Sequence, residues 1–290
     1  MTFQGSVFEV HWNHQFRRDE RVKIKKWLQT AGDTLALLNG TMPQDLIQIQ
    51  FRVRRSGNAV PFAQVLRRHP QGVIFQVNPT RSLEEFIDDW TAPHELVHLF
   101  IPYPGEADLW LSEGLATYYQ YLLQARAGIK TEQQAWQKIY EGFERGRKDN
   151  RYPHLPLEDL SSDMREYRSY MRVYWSGTLY FLEADMALRQ ASGGTQTLDS
   201  VIGVFVNCCR PERIYWPGSS LVKAWTKARA TPFLRSSTTN TGNIKHYRII
   251  GIYLPAWVLL LRGAEWCSAL HTPPRGNFAM RSALHISAPR

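Results

Sequence analysis

Between Leu46 and Arg54 the chain alternates without a break, with Ile47, Ile49, Phe51 and Val53 on one side and Gln48, Gln50, Arg52 and Arg54 on the other. A period of two belongs to a strand with one dry face and excludes a helix there. Such a face needs a second layer to cover it. Phe16–Leu38 is charged and periodic enough for a helix closed by Asn39-Gly40, and Ser6–Trp12 and Gly72–Val77 read as further strands. Residues 1–80 therefore read as a small mixed α/β unit.

From Ser82 onward the pattern is helical. Ser82-Leu83-Glu84-Glu85 and Thr131-Glu132-Gln133-Gln134 both have the spacing of a capping box, in which a hydroxyl and an acid or amide three residues on satisfy each other's backbone N–H groups. Leu109–Ala127 is expected as a helix stopped by Gly128, Tyr167–Gln190 as a long one ending near Gly193-Gly194, and Leu198–Val206 as one capped by Thr197. Strands first and helices after them make the fold class α+β. The expected division is 1–80 for the N-terminal part, 81–232 for the helical part, and 233–290 for a tail of different character.

Charge sets the tail apart. The formal net charge is +9, yet residues 213–290 hold 11 Lys and Arg against one acid, Glu265, so the rest of the chain is close to neutral. After about Phe233 helical periodicity fades, and Ser, Thr, Pro and Arg gather around one apolar run, Ile249–Leu261. That run holds Pro255 and is shorter than the ~20 residues a spanning helix needs, so no membrane span is expected. The loss of acids at an unfinished helical region suggests a shifted reading frame or a disordered tail. Its arginines are scattered and follow no nucleic-acid-binding motif, so no nucleic-acid partner is expected. The start, MTFQGSVFEVHWNHQF, has neither the basic end nor the apolar run of a secretory signal. The default is cytoplasmic, with a periplasmic or exported location open if the chain is a piece of a longer one. Cys208, Cys209 and Cys267 have no metal-type spacing and read as reduced thiols.

Chemistry concentrates in His94-Glu95-Leu96-Val97-His98. Residues four apart on a helix share a face, so both imidazoles can reach one Zn²⁺ while Glu95 stands beside it. Chance supplies HExxH in about one chain of this length in a hundred, so a third ligand is needed to decide. Fourteen residues lie between His98 and Glu113, which opens a second helix over Gly114–Leu123, and Pro102, Pro104 and Gly105 allow the loop between them to turn back. Two imidazoles, a carboxylate and an open fourth position make a catalytic zinc shell, one ion per chain. Pro93 places the start of this helix near Ala92 or kinks a longer one from Ser82. His11, His14 and His154 lack ligand spacing and read as surface or loop residues.

HELVHLF and Asp108-Leu109-Trp110-Leu111-Ser112-Glu113-Gly114 together resemble the gluzincin metallopeptidases. Tyr174-Trp175-Ser176-Gly177, Leu182–Arg189 and Thr197–Val201 are most similar to the glycyl aminopeptidase family, so the resemblance runs over about residues 80–206. It implies a thermolysin-like zincin fold and a zinc-dependent hydrolase of peptide bonds, with a peptide or protein substrate. His94, His98 and Glu113 would be the ligands, Glu95 the general base, and Tyr174 the donor to the oxyanion. Tyr170 and Tyr167, four and seven residues earlier, are the alternatives for that donor. The spacing from His98 to Glu113 is shorter than the eighteen usual in the broader aminopeptidase group. The Gly-x-Met-Glu-Asn motif, whose glutamate holds a substrate's free amine, is absent, and Gly72–Pro79 stands in its region, which leaves exopeptidase and endopeptidase action both open. Thr117 occupies the place where thermolysin-like enzymes put an aspartate to orient a histidine ligand, so another partner is required, with Asp185 as a candidate. A substrate backbone would add to a sheet edge beside the zinc helix, for which Gly72–Asn78 is nearest in sequence, although its apolar alternation suits a core equally well. The alternative function is a catalytically impaired relative that binds zinc or peptide.

Overall fold

The computed structural model describes residues 1–13, 15–40, 42–209 and 215–228, without the side chains of 209 and 226–228. The basic tail and its proposed origin lie outside the described residues, as do His14 and Cys267.

Five strands form one sheet in the order β1 (Thr2–Phe3), β2 (Ser6–Trp12), β3 (Leu46–Val53), β5 (Gly72–Val77) and β4 (Phe62–Leu66). A tight turn at Gln4-Gly5, both with positive φ, makes β1 and β2 an antiparallel hairpin. The helix α1 (Arg18–Ala36) carries the chain from β2 to β3, which run parallel with Val10 opposite Ile49. β5 lies parallel to β3 with Phe51 opposite Phe75, and β4 closes the far side antiparallel to β5.

The alternation in β3 does what a period of two requires. Ile47, Ile49 and Phe51 are buried, while Arg52 on the other face is exposed. Phe51, Phe75, Trp27 of α1 and Phe86 meet in a run of rings with centroids 5.2 to 6.1 Å apart. Full burial of each such side chain contributes about 1.5–3 kcal/mol, enough to fix α1 on this face of the sheet. Glu20 adds a polar tie, its buried carboxylate accepting from Arg55 at 2.7 Å.

The remaining chain is helical: α2 (Leu83–Asp88), α3 (Thr91–Val97), α4 (Leu109–Arg126), α5 (Glu132–Lys148), α6 (Leu157–Ser162), α7 (Met164–Tyr167), α8 (Tyr170–Ala191), α9 (Leu198–Cys209) and α10 (Gly218–Ala228). Both capping boxes close as their spacing requires, with Ser82 and Thr131 hydroxyls each accepting at 3.2 Å from the N–H three residues on. Thr197 caps α9 in the same way, and Gly128 and Gly193-Gly194 stop their helices with positive φ. α4 runs through the centre, buried on nearly all sides.

Three expectations need correction, and one open choice is resolved. The helix expected from Tyr167 is broken at Arg168, which takes a left-handed conformation, so Tyr167 belongs to α7 and packs on Tyr152 rather than sharing a face with Tyr174. Gly72–Val77 is an interior strand; the edge on its side of the sheet is β4, whose weak alternation hid it. Of the two readings of Pro93, the helix start near Ala92 is the one found: α2 ends at Asp88 and α3 begins at Thr91, so Pro93 is the third helical residue, where its missing N–H would have had no partner. Cys208 is disulfide-bonded rather than a reduced thiol.

Candidate metal centre

α3 is short and held by its neighbours. Thr91 N–H donates to the Asp89 carboxylate at 2.8 Å, and the Gln124 side chain of α4 donates to the carbonyls of Asp88 and Asp89 at 3.1 and 3.3 Å. His94 and His98 then stand one turn apart, His98 opening a 3-10 turn over His98–Phe100. Both are buried.

α4 supplies the rest. Glu113 projects from its first turns so that one carboxylate oxygen lies 3.2 Å from His94 Nε2 and 3.5 Å from His98 Nε2. The outer ring nitrogens are engaged by the same helix: His94 Nδ1 donates to Gln120 Oε1 at 2.8 Å, and His98 Nδ1 to Ser112 Oγ at 2.9 Å. Each imidazole is thereby set with its Nε2 lone pair facing the carboxylate. With its Nδ1 carrying the proton, each ring can offer its Nε2 lone pair, beside the anionic Glu113 oxygen, to a cation. Tetrahedral zinc with bonds of about 2.0–2.1 Å sets its donor atoms about 3.3 Å apart, close to the two distances from the Glu113 oxygen to the imidazoles. The three ligand atoms all lie within 4.8 Å of one another, and this is the one such cluster among the described residues. The donor set therefore fits zinc.

A close helix crossing explains the motifs. A Cβ on Gly114 would stand 2.4 Å from the backbone of Gly177, and one on Gly177 would stand 2.0 Å from the Trp110 carbonyl. Glycine at both positions lets α4 and α8 touch backbone to backbone. The glycine that follows Glu113 and the glycine three residues after Tyr174 are thus one contact, and it brings Tyr174 to the cluster. The Tyr174 ring lies parallel to His94 with centroids 6.1 Å apart. Burial, and after it the Glu113 and Glu95 carboxylates, push its hydroxyl far above the usual tyrosine range, so it keeps its proton as a donor.

Glu95 is half-buried beside the ligands. Burial pushes its carboxyl up, against the pull of His98 and His94. Burial also raises Glu113, but His98 and His94 together outweigh it and hold that carboxyl far below its ordinary value.

Three residues that motif reading missed complete the arrangement. Gln120 and Ser112 are the partners of the histidines; Gln120 follows Glu113 by seven residues, two turns along one face, which is the signal that could have found it. Arg67, just past β4, donates from Nη1 to the carbonyls of His98 and Ile101 at 3.0 and 2.7 Å and lies 3.5 Å from Ser112 Oγ. Burial lowers its pKa to about 10 even though Glu113 and Glu95 pull the other way. Thr117 does not contribute: its hydroxyl is buried without a hydrogen-bond partner. Nor does Asp185, which accepts from Tyr118 at 2.8 Å, Arg189 at 3.0 Å and the Leu198 N–H at 2.6 Å, joining α4, α8 and α9. His11 and His154 are exposed and outside any cluster of three possible ligands among the described residues. No helix among the described residues is long and apolar enough to cross a membrane.

Residues 102–180 match the model of the M61 glycyl aminopeptidase family, a stretch that holds Glu113 and Tyr174 and begins after His98. No curated protein matches. Among solved structures, an aminopeptidase N family protein from Idiomarina loihiensis is similar at a TM-score of 0.59 and 15% identity, over 77% of this chain and 42% of that one. An M1 zinc metallopeptidase from Deinococcus radiodurans aligns at a TM-score of 0.47 and 14% identity, over 79% of this chain and 46% of that one. The chain spans less than half the length of these structures. The first likeness shows the fold, a thermolysin-like α+β arrangement. In fold, and in sequence over residues 102–180, the chain resembles the gluzincin aminopeptidase-like proteins.

Proposed function

We propose that this chain is a zinc-dependent peptidase. The observation that carries the proposal is the convergence of His94 Nε2, His98 Nε2 and one Glu113 oxygen at zinc spacing, with both outer ring nitrogens already engaged. A bound zinc ion would supply Lewis acidity, bringing the pKa of a water near neutrality and polarising a carbonyl oxygen.

The chain's own residues do the rest. Glu95 takes a proton from the attacking water on a carboxylate oxygen and returns it to the nitrogen of the leaving amine. Its burial favours the protonated form, which suits a group that must hold and then release that proton. The Tyr174 hydroxyl donates to the oxygen that gains charge when the carbonyl is attacked. The M61 match over 102–180 supports a peptide substrate. The sheet edge β4 reads Phe-Ala-Gln-Val-Leu, with no acid to hold a free amine, so the proposal leaves cleavage from an end and cleavage within a chain to experiment.

A mixed peptide library incubated with the purified protein tests this. Cleavage should stop with a chelator and return with added zinc. Glu95→Gln should lower turnover by roughly 10²–10⁴-fold while keeping its zinc. Hydrolysis indifferent to chelation, or undiminished in Glu95→Gln, would contradict the proposal. Zinc binding with no hydrolysis would assign the chain instead to zinc or peptide binding.

A further inference from the structure

Large apolar side chains exposed singly are common and call for no explanation. Two in this chain are different because of where they stand. Trp90 is 42% exposed, yet its ring lies edge-on to His94 with centroids 5.3 Å apart. Tyr170 is 37% exposed and sits one turn before Tyr174, the residue whose ring is parallel to His94 on α8. His94 is thus flanked by Trp90, which directly precedes α3, and by Tyr174 of α8, with the exposed Tyr170 one turn before Tyr174.

Neither ring is free to fold away through its backbone. Trp90 is fixed by the His94 N–H donating to its carbonyl at 3.2 Å and by the Asp89–Thr91 and Gln124–Asp89 hydrogen bonds on either side. Tyr170 opens α8 directly after the left-handed Arg168 and the buried Ser169, whose N–H donates to Met164 at 3.2 Å. The charged groups of the site, Glu95 and Glu113, lie deeper. A ligand whose backbone reaches them would come close to the exposed rings of Trp90 and Tyr170.

We infer that Trp90 and Tyr170 form an aromatic subsite that selects peptides with a bulky apolar side chain, aromatic or branched, next to the bond that is cut. Rigid aromatic rings already exposed in the free protein give contact area at little loss of side-chain freedom. A glycine or a charged side chain would leave them uncovered. This inference rests on the peptidase reading, since it takes the ligand at His94, His98 and Glu113 to be a peptide.

Binding separates the two claims. Two capped pentapeptides, identical except for a central Phe or Gly, are titrated calorimetrically into zinc-loaded Glu95→Gln protein, and cleavage sites of the unaltered protein are mapped in a peptide library by mass spectrometry. The Phe peptide should bind about tenfold more tightly, which corresponds to a single aromatic contact of about 1.4 kcal/mol. Cleaved bonds should be enriched beside Phe, Tyr and Leu. Trp90→Ala and Tyr170→Ala should each reduce the Phe-to-Gly ratio to about threefold or less, while Tyr170→Phe, which keeps the ring, and Val22→Ser at an exposed position of α1 should preserve it. Should Trp90→Ala fail to fold, Trp90→Phe and Tyr170→Ala carry the comparison. Equal affinity for the two peptides, or a ratio unchanged in the alanine variants, would overturn the subsite. Selective binding without hydrolysis by the unaltered protein would support the subsite and overturn the peptidase reading.

Discussion

At the scale of single residues, the outer contacts of the ligands matter as much as the ligands. Gln120 and Ser112 fix which nitrogen of each imidazole faces the cluster. Removing such a partner typically weakens metal affinity by about 10–100-fold. Gln120→Ala and Ser112→Ala should therefore raise the zinc Kd by that factor, as measured by competition with a chromophoric chelator, without unfolding the protein. Unchanged affinity in both would mean that the rings are oriented by packing alone. Arg67 acts on the same residues from the other side, tying the carbonyls of His98 and Ile101 to the end of β4. Its replacement by Met would leave two carbonyls without their charged donor. A loss of roughly 1–3 kcal/mol in denaturant unfolding is expected, together with weaker zinc binding.

What the sequence disclosed at this scale follows from spacing. His94, His98 and Glu113, which the structure brings together, stood out because HExxH sets two imidazoles on one helical face and a glutamate follows on the next helix, whereas Tyr174 was singled out only through its resemblance to the Tyr-x-x-Gly of a known family. Gln120 and Ser112 were not, since an amide and a hydroxyl on a buried helix have many ordinary uses. Arg67 was hidden because its role depends on β4, whose residues give no clear period. Asp185 was misplaced for the converse reason: an acid on a long helix shows nothing about which partner it meets, and here it meets Tyr118, Arg189 and a helix start.

At the scale of elements, the crossing of α4 and α8 decides whether Tyr174 reaches the site. A methyl group on Gly177 would meet the Trp110 carbonyl at 2.0 Å, a contact backbone cannot relieve without moving. Gly177→Ala should destabilise the fold by about 1–3 kcal/mol, the usual range for overpacking. It should also lower turnover more than zinc affinity, because Glu113 stays on α4 while Tyr174 moves with α8. Equal loss of both would place the damage in α4 instead. Pro93 makes the opposite case. Proline in the interior of a helix costs about 3 kcal/mol, so its removal there would stabilise the protein. At the third position of α3 it costs little, and Pro93→Ala should instead reduce stability by up to ~1 kcal/mol through the freer unfolded chain.

At the scale of the whole molecule, a sheet with one dry face is joined to a helical body, and the candidate ligands come from α3, the turn that follows it and α4, while the sheet edge ends beside them at Arg67. The alternation of β3 and the capping signals made most of this order readable. The edge position of β4 and the break at Arg168 required the structure, because pairing order and a left-handed residue leave no period behind. The tie between sheet and α1 has a pH dependence of known sign. The side-chain hydrogen bond from Arg55 is the largest influence on Glu20 and, against burial, holds its carboxyl below 4.5. A group whose folded pKa is depressed contributes stability that is present above its unfolded value and lost as pH falls through the folded one. Glu20→Gln should thus flatten the loss of stability below pH 4.5 relative to the unaltered protein, as followed by thermal unfolding across pH.

The account rests most directly on the cluster of His94, His98 and Glu113, and zinc content by elemental mass spectrometry tests it. The unaltered protein should carry one zinc per chain, and Glu113→Ala should lose it or hold it far more weakly. No zinc in the unaltered protein after zinc reconstitution, or the same zinc held as tightly by Glu113→Ala, would contradict it.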